Sequence, residues 1–552
     1  MEENNDFGAQ EEIFFCASRD GEVDKICAYK AGGGSLNIIC KLENEFEGLT
    51  GLMVACVHRQ IEVVKVLLKF FANPNKEGYD LVMEKHPRLG RDKREIIKAS
   101  LTALLIASRL GSVDIVKELL LHGANPNTPS NHTWCTPLML ACEHGHIDVV
   151  KLLLEEHADV NQKATIHNGW YIESDGWTAL MKAAYAGHLD IVKLLLQNHA
   201  NPNRKNNKNN TALLIASLSG NAEIVREILV YRGGHQATLS LHKASSKGYT
   251  DVVRALLEYD TSLRSMPGYT APYYKNEIGK LLLLAAENGH IEVVRLLLEV
   301  DPNAAKSERD STPLVEACRK GYIDIARLLL ENGADTAGTA LMAASRKGRI
   351  NIVRLLLEHG ANPNSYPIPI PYSRSALMEA SVKDHVDVAQ LLLENGADPH
   401  LHSDGWTALT LAADEGNTEV MRLLLQNGVD PNIICEEHHM TALMLAVKHG
   451  CHYGRLETVQ LLLDYKADPN ITVENHGALD VAAEYGGVDI VQLLLQYIKD
   501  PSEKALRCWE ALSNASRFGH TEIVKILLEN GAKNHIKTVE IGTTPLLSLI
   551  HI

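Results

Sequence analysis

Apolar residues along this chain form two helical patterns that alternate. Residues 178–203 read TALMKAAYAGHLDIVKLLLQNHANPN, with small residues on one face of the first stretch and a wider apolar stripe in residues 191–196. Thr178 precedes the first stretch as a helix-capping residue, and Gly187 stands where a left-handed residue ends a helix. The pattern predicts a pair of short helices followed by an Asn-Pro-Asn turn.

The same pattern recurs in register along nearly the whole chain. Residues 136–161 read TPLMLACEHGHIDVVKLLLEEHADVN, and residues 339–364 read TALMAASRKGRINIVRLLLEHGANPN. Copies begin near Glu12, Thr50, Thr102, Thr136, Thr178, Thr211, Leu239, Lys280, Thr312, Thr339, Ser375, Thr407, Thr441, Gly477, Glu510 and Thr544. A period of about 33 residues indicates one supersecondary unit that is stacked many times. Since one helix pair cannot bury its apolar face alone, each copy must pack against its neighbours.

These residues resemble the ankyrin repeat over nearly all of residues 12–552. The shared features are Thr-Ala/Pro-Leu, paired small residues, Gly-His, Val-Val or Ile-Val, three leucines, and Gly-Ala-Asn/Asp-x-Asn. The resemblance implies an all-α ankyrin-repeat solenoid, in which helix-turn-helix units with hairpin loops stack into a curved superhelix. One feature departs from the family, because its Thr-Pro-Leu-His is never complete and Leu or Met usually stands at the histidine position. We therefore expect apolar contacts, in place of those histidine hydrogen bonds, to join the repeats.

Irregular stretches divide the array into four segments. We expect a degenerate N-terminal capping repeat over 1–49 and repeats two to seven over 50–260, with a long insertion at 76–101. Repeats eight to twelve, with Tyr/Pro-rich finger insertions, should occupy 261–432, and repeats thirteen to fifteen with a C-terminal half-repeat cap should occupy 433–552. The final half-repeat either caps the preceding unit or marks a truncation, and the cap is slightly favoured. Insertions in a solenoid form loops, often on the binding face.

Composition and charge narrow the class of protein. Hydrophobic residues make up 45% of the chain, and its formal net charge is −15, which argues against nucleic acid or an anionic membrane as a partner. No apolar run approaches the roughly 18 residues of a membrane helix, and no secretory signal opens the sequence. The ten cysteines show no disulfide spacing. We expect a cytoplasmic protein, with the nucleus as a second possible location.

No catalytic motif is found. The sequence contains no GxxxxGK[ST], GxSxG or HExxH and no kinase motif set, so we expect no enzyme activity and no cofactor. A dense cluster of possible metal ligands (Cys435, His438, His439, His449, Cys451, His452) fits no zinc module, and we predict no metal site. The leading hypothesis is a scaffold or adaptor that binds protein partners. The alternative is a substrate-recognition module of a larger enzyme or ligase complex, whose catalytic part is truncated or on another chain.

Candidate binding residues follow from the family's geometry. In ankyrin arrays the first helices line a concave groove, and the two residues after the paired small residues point into it. Those positions carry a basic stretch in the centre of the array: Lys247, Arg319, Lys320, Arg346, Lys347 and Lys383. The stretch predicts a partner with an acidic segment. The alternative is that Lys and Arg only occupy exposed helix ends, where the helix dipole favours them.

Aromatic residues near the hairpin loops are a second set of candidates. Ser-Asp-Gly-Trp occurs at 174–177 and again at 403–406, so Trp177 and Trp406 either contact a partner or shield the adjacent loop. Two insertions are rich in tyrosine and proline, namely YTAPYY at 269–274 on an extended turn and YPIPIPY at 366–372 as a stiff strut. They contribute Tyr269, Tyr273, Tyr274, Tyr366 and Tyr372, as contacts or as ordered padding.

One asparagine is a candidate for modification. Residues 153–161 read LLEEHADVN, which is similar to the context in which an asparaginyl hydroxylase modifies the last Asn of an ankyrin repeat. Asn161 is therefore a possible hydroxylation site. The alternative is that its side chain only satisfies backbone groups of the turn.

Overall fold

The structure, a computed structural model, consists almost entirely of helix pairs. It describes residues 3–40, 47–85, 94–130, 134–164, 176–231, 236–264, 274–306, 312–335, 338–366, 374–435, 439–453, 456–474 and 476–532. The chain folds as two compact units, Met1–Pro272 and Tyr273–Ile552. The all-α ankyrin solenoid that the sequence predicts is confirmed.

The first unit holds fourteen described helices and one hairpin. In chain order these are α1 Glu3–Asp20, α2 Val23–Ala31, α3 Gly51–Val57, α4 Ile61–Lys69, β1 Gly78–Lys85, β2 Arg94–Leu101, α5 Ala103–Leu110, α6 Val113–Leu121, α7 Pro137–Glu143, α8 Ile147–Glu155, α9 Ala179–Ala186, α10 Leu189–Gln197, α11 Ala212–Ser219, α12 Ala222–Val230, α13 Ala237–Lys247 and α14 Thr250–Arg264.

The second unit continues the same alternation of helices, with two-residue strands in some of its loops. Its described elements are α15 Tyr274–Asn288, α16 Ile291–Val300, α17 Pro313–Lys320, α18 Ile323–Glu331, α19 Gly338–Arg346, α20 Ile350–Glu358, α21 Ala376–Val382, α22 Val386–Glu394, β3 His402–Ser403, β4 Trp406–Thr407, α23 Ala408–Glu415, α24 Thr418–Gln426, β5 Ile434–Cys435, β6 Met440–Thr441, α25 Ala442–Tyr453, α26 Leu456–Asp464, β7 Thr472–Val473, β8 His476–Gly477, α27 Ala478–Tyr485, α28 Val488–Tyr497, α29 Pro501–Arg517 and α30 Thr521–Leu527. Short single turns follow at Pro302–Ala305 and Leu528–Ala532.

The regular copies, such as residues 178–203, begin and turn where the sequence pattern predicts, whereas α15 and α29 begin at Tyr274 and Pro501, ahead of the starts predicted near Lys280 and Glu510. The hydroxyl of Thr178 accepts a hydrogen bond from the backbone N–H of Met181 at 3.3 Å, which caps α9. Gly187 ends α9 with a φ of 85°, a left-handed conformation that glycine adopts at little cost. In α10 the side chains of Val192 and Leu195 are fully buried. Burying a leucine side chain stabilises a fold by roughly 1.5–3 kcal/mol, so this stripe is a main source of stability.

Within each unit the first helices of successive pairs (the odd-numbered helices) pack side by side, and the second helices form another layer. A polar joint connects the layers of neighbouring pairs. The ring Nε2 of His146, just before α8, donates to the carbonyl of Arg109 at 3.0 Å, and His520 does the same to Glu484 at 3.0 Å. The expectation that apolar contacts alone join the repeats is therefore wrong, because histidine hydrogen bonds contribute as well. Histidines after the turn glycine supply the hydrogen bonds that the altered Thr-Pro-Leu-His cannot.

Two insertions differ from the expected loops. Residues 76–101 contain the antiparallel hairpin β1–β2, whose register pairs Val82 with Ile97 and Met83 with Ile96. Both arms have apolar residues at their centre, LVM at 81–83 and II at 96–97, which favours strands over an irregular loop. The second case lies in 262–279, where α14 continues to Arg264 and α15 already begins at Tyr274.

Candidate functional site

The predicted basic positions of the second unit lie at the ends of three neighbouring first helices. α17 ends at Arg319 and Lys320, α19 ends at Arg346 with Lys347 next to it, and Lys383 follows α21. All five side chains are exposed. Because α17, α19 and α21 pack side by side, their ends form one continuous edge. We call these five residues the basic row.

Two members of the basic row are paired with glutamates. Nε of Arg319 donates to Oε2 of Glu316 at 3.0 Å, and this hydrogen bond raises the pKa of the Arg319 guanidinium. Nε of Arg346 lies 3.6 Å from Oε2 of Glu379 on the next first helix, and Glu379 is only 7% exposed. These two glutamates partly offset the charge of the arginines, so the arginines are less available to a partner than their exposure suggests.

The three lysines of the basic row carry its available charge. Within the described part of the chain, the ammonium groups of Lys320, Lys347 and Lys383 form no hydrogen bond or ion pair. Five cations less the two glutamates leave a formal charge of +3 on this edge. The flanking first helices are acidic, since α15 ends near Glu287 and α23 ends at Asp414 and Glu415. The positive charge is therefore confined to three adjacent repeats.

Lys247 belongs to a different setting. It lies in the first unit, where its ammonium donates to the carbonyl of Leu218 at 3.0 Å and lies 5.7 Å from the ring centroid of Tyr249. This hydrogen bond joins two neighbouring repeats. Lys247 therefore has a structural role within the array and is not a member of the basic row.

Trp177 is the centre of a mixed cluster in the first unit. Its ring lies edge-on to Tyr185 with centroids 5.5 Å apart, and the ammonium of Lys182 lies 5.4 Å from its centroid. Lys182 also pairs with Glu143 on the preceding first helix at 2.9 Å. Trp177 is half-buried while Tyr185 is 60% exposed, so the cluster supports its loop and still presents aromatic surface. Sequence reasoning missed Lys182; its signal is a lysine at a position where most first helices have an apolar residue.

The other aromatic candidates that the structure describes are Trp406, Tyr366 and Tyr274, which belong to different elements of the second unit. Trp406 is half-buried in β4 beside the tight turn at Asp404 and Gly405, both of which have a left-handed backbone conformation. The hydroxyl of Tyr366 donates to the carbonyl of His402 at 3.0 Å. Tyr274 is the first residue of α15 and is therefore not on the extended turn that the sequence predicted. A helix that begins there can bury the side chain of Ile278, which lies one turn later. Tyr269, Tyr273 and Tyr372 lie outside the described residues.

Asn161 joins two repeats through both atoms of its amide. Its Nδ2 donates to the carbonyl of His199 at 3.2 Å, and its Oδ1 accepts from the backbone N–H of Asn201 at 2.7 Å. Asn364 makes the same two contacts with Gly396 and Asp398. The side chain of Asn161 therefore satisfies backbone groups of the next turn, and its hydroxylation stays a prediction.

The described residues contain neither a metal-binding cluster nor a membrane-spanning helix. In the described ranges, no group of three or more His, Cys, Asp or Glu side chains is arranged to hold a metal ion. Of the dense cysteine and histidine cluster, His449 binds the carbonyl of Asp414 through Nδ1 at 2.9 Å. His438 lies outside the described residues. None of the described helices is both long enough and apolar enough to cross a bilayer.

Comparison with known families decides the classification. The model of three consecutive ankyrin repeats matches residues 80–164, 165–239, 241–338, 333–403, 377–473 and 479–550, and the single-repeat model matches 47–79. The chain belongs to the ankyrin repeat family. Ankyrin repeat domains are generally protein–protein interaction modules, and this accords with an edge built from exposed side chains on packed helices.

Individual relatives share only part of the ankyrin array. The chain is 33% identical over 132 residues to the ankyrin repeat and KH domain-containing protein mask-1 of Caenorhabditis elegans, covering 23% of this chain and 5% of that protein. It is 30% identical over 136 residues to the NF-kappa-B inhibitor cactus of Drosophila melanogaster, covering 23% and 25%. The matches thus span a quarter or less of these two relatives. The human ASB11 ankyrin repeat domain matches with a TM-score of 0.35 and 26% identity, over 40% of this chain and 98% of that one.

Proposed function

We propose that this protein is a non-enzymatic scaffold or adaptor that binds an acidic segment of a protein partner through the basic row. The observation that carries the proposal is the set of three exposed lysines without ion pairs on consecutive first-helix ends, bounded on both sides by acidic helix ends. A positive edge on a chain of net charge −15 is a local feature that the overall composition does not explain.

The spacing of the basic row fits an extended segment. Packed helices lie roughly 8–10 Å apart, so the ends of α17 and α21 are separated by about 20 Å. An extended strand rises about 3.3 Å per residue, and about six residues would cover that distance. A partner segment with carboxylates at every second or third position would place one near each lysine.

Rigid packing lowers the cost of binding. The basic row stands on helices whose positions are fixed by buried stripes on either side, so the backbone loses little freedom when a partner binds. The lysine side chains are the groups that must become ordered. Because they are exposed, the attraction should weaken as salt rises.

The decisive experiment reverses the three lysines. The triple variant Lys320→Glu, Lys347→Glu, Lys383→Glu leaves both arginine–glutamate pairs intact. A matched control reverses three exposed arginines of the second layer in consecutive pairs, Arg295→Glu, Arg327→Glu and Arg354→Glu, with the same change of net charge. Binding of a fluorescein-labelled peptide of alternating glutamate and serine to the full chain is measured by fluorescence anisotropy at low salt.

The lysine variant should bind the acidic peptide much more weakly than the control variant does. Exposed ion pairs contribute roughly 0.2–1 kcal/mol each, so losing three weakens binding by about threefold to 150-fold, before added repulsion. Both variants should keep the far-ultraviolet circular dichroism of the parent chain. Equal weakening in both variants would show that only the net charge matters, and the proposed role of the basic row would be wrong.

A further inference from the structure

The first helix α25 carries an extra turn. It spans twelve residues, Ala442–Tyr453, and continues past the buried Gly450, whereas α23 and α27 end at the left-handed glycines Gly416 and Gly486. The added residues belong to the insertion Cys451-His452-Tyr453-Gly454. Extending a first helix moves its end beyond the edge formed by its neighbours.

The extra turn is fixed to the next repeat. Cys451 packs against Gly487, the position just before α28, where other pairs carry a side chain such as His385, Asn417 or His520. A Cβ at residue 487 would lie 2.4 Å from Sγ of Cys451, so a side chain there would have to displace the Cys451 thiol from its present position. The missing side chain and the added turn are thus complementary, and the turn is a built feature of this joint.

Aromatic rings cover the end of this turn. The ring of Tyr453 lies 4.5 Å from that of His449, and the ring of His452 lies 4.9 Å edge-on from Tyr485 at the end of α27. Tyr453 is 70% exposed, so its ring presents aromatic surface to solvent. We call His449, His452, Tyr453 and Tyr485 the aromatic patch.

The surroundings of the aromatic patch are acidic. His449 contacts the carbonyl of Asp414, which with Glu415 ends α23, and Glu484 precedes Tyr485. Among the described residues at these helix ends, three carboxylates face one ammonium, that of Lys448, so the formal charge of this set is −2 when the histidines are counted as neutral. Tyrosine faces attract cations, and nearby carboxylates add to that attraction. The charge is opposite to that of the basic row.

We propose that the aromatic patch binds an arginine-containing segment of a protein partner. A guanidinium group is planar, stacks on an aromatic face and donates paired hydrogen bonds to a carboxylate, whereas an ammonium group acts as a point charge. The Tyr453 ring supplies the stacking face, and Glu484, Asp414 and Glu415 are the carboxylates within the same set of helix ends. This surface is separate from the basic row and stands independently of the function proposed for it.

The test measures binding of a fluorescein-labelled peptide of alternating arginine and serine to the full chain at neutral pH, by fluorescence anisotropy. Tyr453→Ser should weaken binding by roughly twofold to thirtyfold, depending on how far the bound peptide excludes water from the lost cation–aromatic contact. Glu484→Gln should weaken it by roughly twofold to fivefold. The matched control is Tyr231→Ser, which removes a partly exposed tyrosine from the end of the second helix α12 in the other unit and should leave the affinity unchanged.

Several outcomes would overturn the proposal. They are no measurable binding of the arginine peptide, equal affinity of the parent chain and Tyr453→Ser, or equal affinity for the arginine peptide and its lysine counterpart. The triple lysine reversal of the basic row separates the two proposals, because the loss caused by Tyr453→Ser should persist in that background. Since Tyr453 is largely exposed, its replacement should leave the circular dichroism and thermal melting of the chain unchanged.

Discussion

A buried carboxyl group at the start of α27 should make this repeat sensitive to pH. Asp480 is 3% exposed, and its Oδ2 accepts a hydrogen bond from the backbone N–H of Gly477 at 2.8 Å. Burial raises the pKa of the Asp480 carboxyl from its ordinary value of 3.8 to about 6, even though the Gly477 hydrogen bond acts in the opposite direction. In α23 the same position is held by Thr410, whose hydroxyl accepts from the N–H of Thr407 at 2.8 Å.

The direction of the effect follows from proton linkage. Between about pH 4 and pH 6 the unfolded chain has released the Asp480 proton while the folded chain retains it, so stability falls as pH rises. Below about pH 4 this cost is absent, and above about pH 6 it is fully present. A difference of about two pKa units corresponds to about 3 kcal/mol of local stability.

Asp480→Thr should remove that cost and keep the hydrogen bond to the start of the helix. We expect the opening free energy of α27 to rise by about 3 kcal/mol near pH 7.5, with almost no change near pH 4. The array opens repeat by repeat, so one global unfolding energy is a poor measure. Hydrogen–deuterium exchange of peptides from residues 478–485, corrected for the intrinsic effect of pH, measures the local value.

The reciprocal change provides the control. Thr410→Asp places a carboxyl at a fully buried position of α23 and should create there the pH dependence that Asp480→Thr removes from α27. A gain from Asp480→Thr that is equal at both pH values would refute the reasoning. The gain would then come from packing or helix propensity, and the ionisation of Asp480 would play no part.

Three further substitutions test the turn positions between repeats. His199 adopts a φ of 65°, so His199→Gly should stabilise its repeat by roughly 1 kcal/mol. Gly123→Ala should destabilise its repeat by about as much through backbone strain alone, because the added Cβ meets no atom within 4 Å. Thermal melting should shift in opposite directions for these two variants, and shifts of the same sign would contradict the assignment to φ. Asn161→Ala should cost about 1–2 kcal/mol and speed exchange of the Asn201 amide, because both inter-repeat hydrogen bonds are lost. The mass of the native peptide containing Asn161 checks its predicted hydroxylation, and a peptide without an added oxygen contradicts it.

Local sequence signals predicted the helix pairs because their determinants lie within a few residues. The Thr178 cap acts on a residue three positions away, and Gly187 ends its helix through its own φ. The hairpin of residues 78–101 was missed for the opposite reason. Its strands pair residues up to 23 positions apart, Gly78 with Leu101, and a long insertion offers no repeated copy in which that pairing could be recognised.

For the candidate site, the sequence predicted which charges lie at the helix ends but not how they are paired. Arg346 meets Glu379 across one repeat, and Lys182 meets Glu143 in the same way. Such pairs depend on the distance between stacked helices, which no single repeat contains. As a result, the arginines looked as available as the lysines, although the structure leaves only Lys320, Lys347 and Lys383 unpaired among the five described members of the basic row.

Departures from the repeat are most informative when two of them occur one repeat apart. An inserted turn alone would disturb the stack, because the next pair normally fills that space with the side chain before its second helix. Gly487 has no side chain in that space, and the side chain of Cys451 occupies it instead. The extra turn then places Tyr453 at the surface without breaking the layer of first helices. The inserted turn and Gly487 fit each other, and either change alone would weaken the packing between these two repeats. The insertion is therefore more than a neutral extension of a loop. This matching is the physical reason to place a second binding surface at α25.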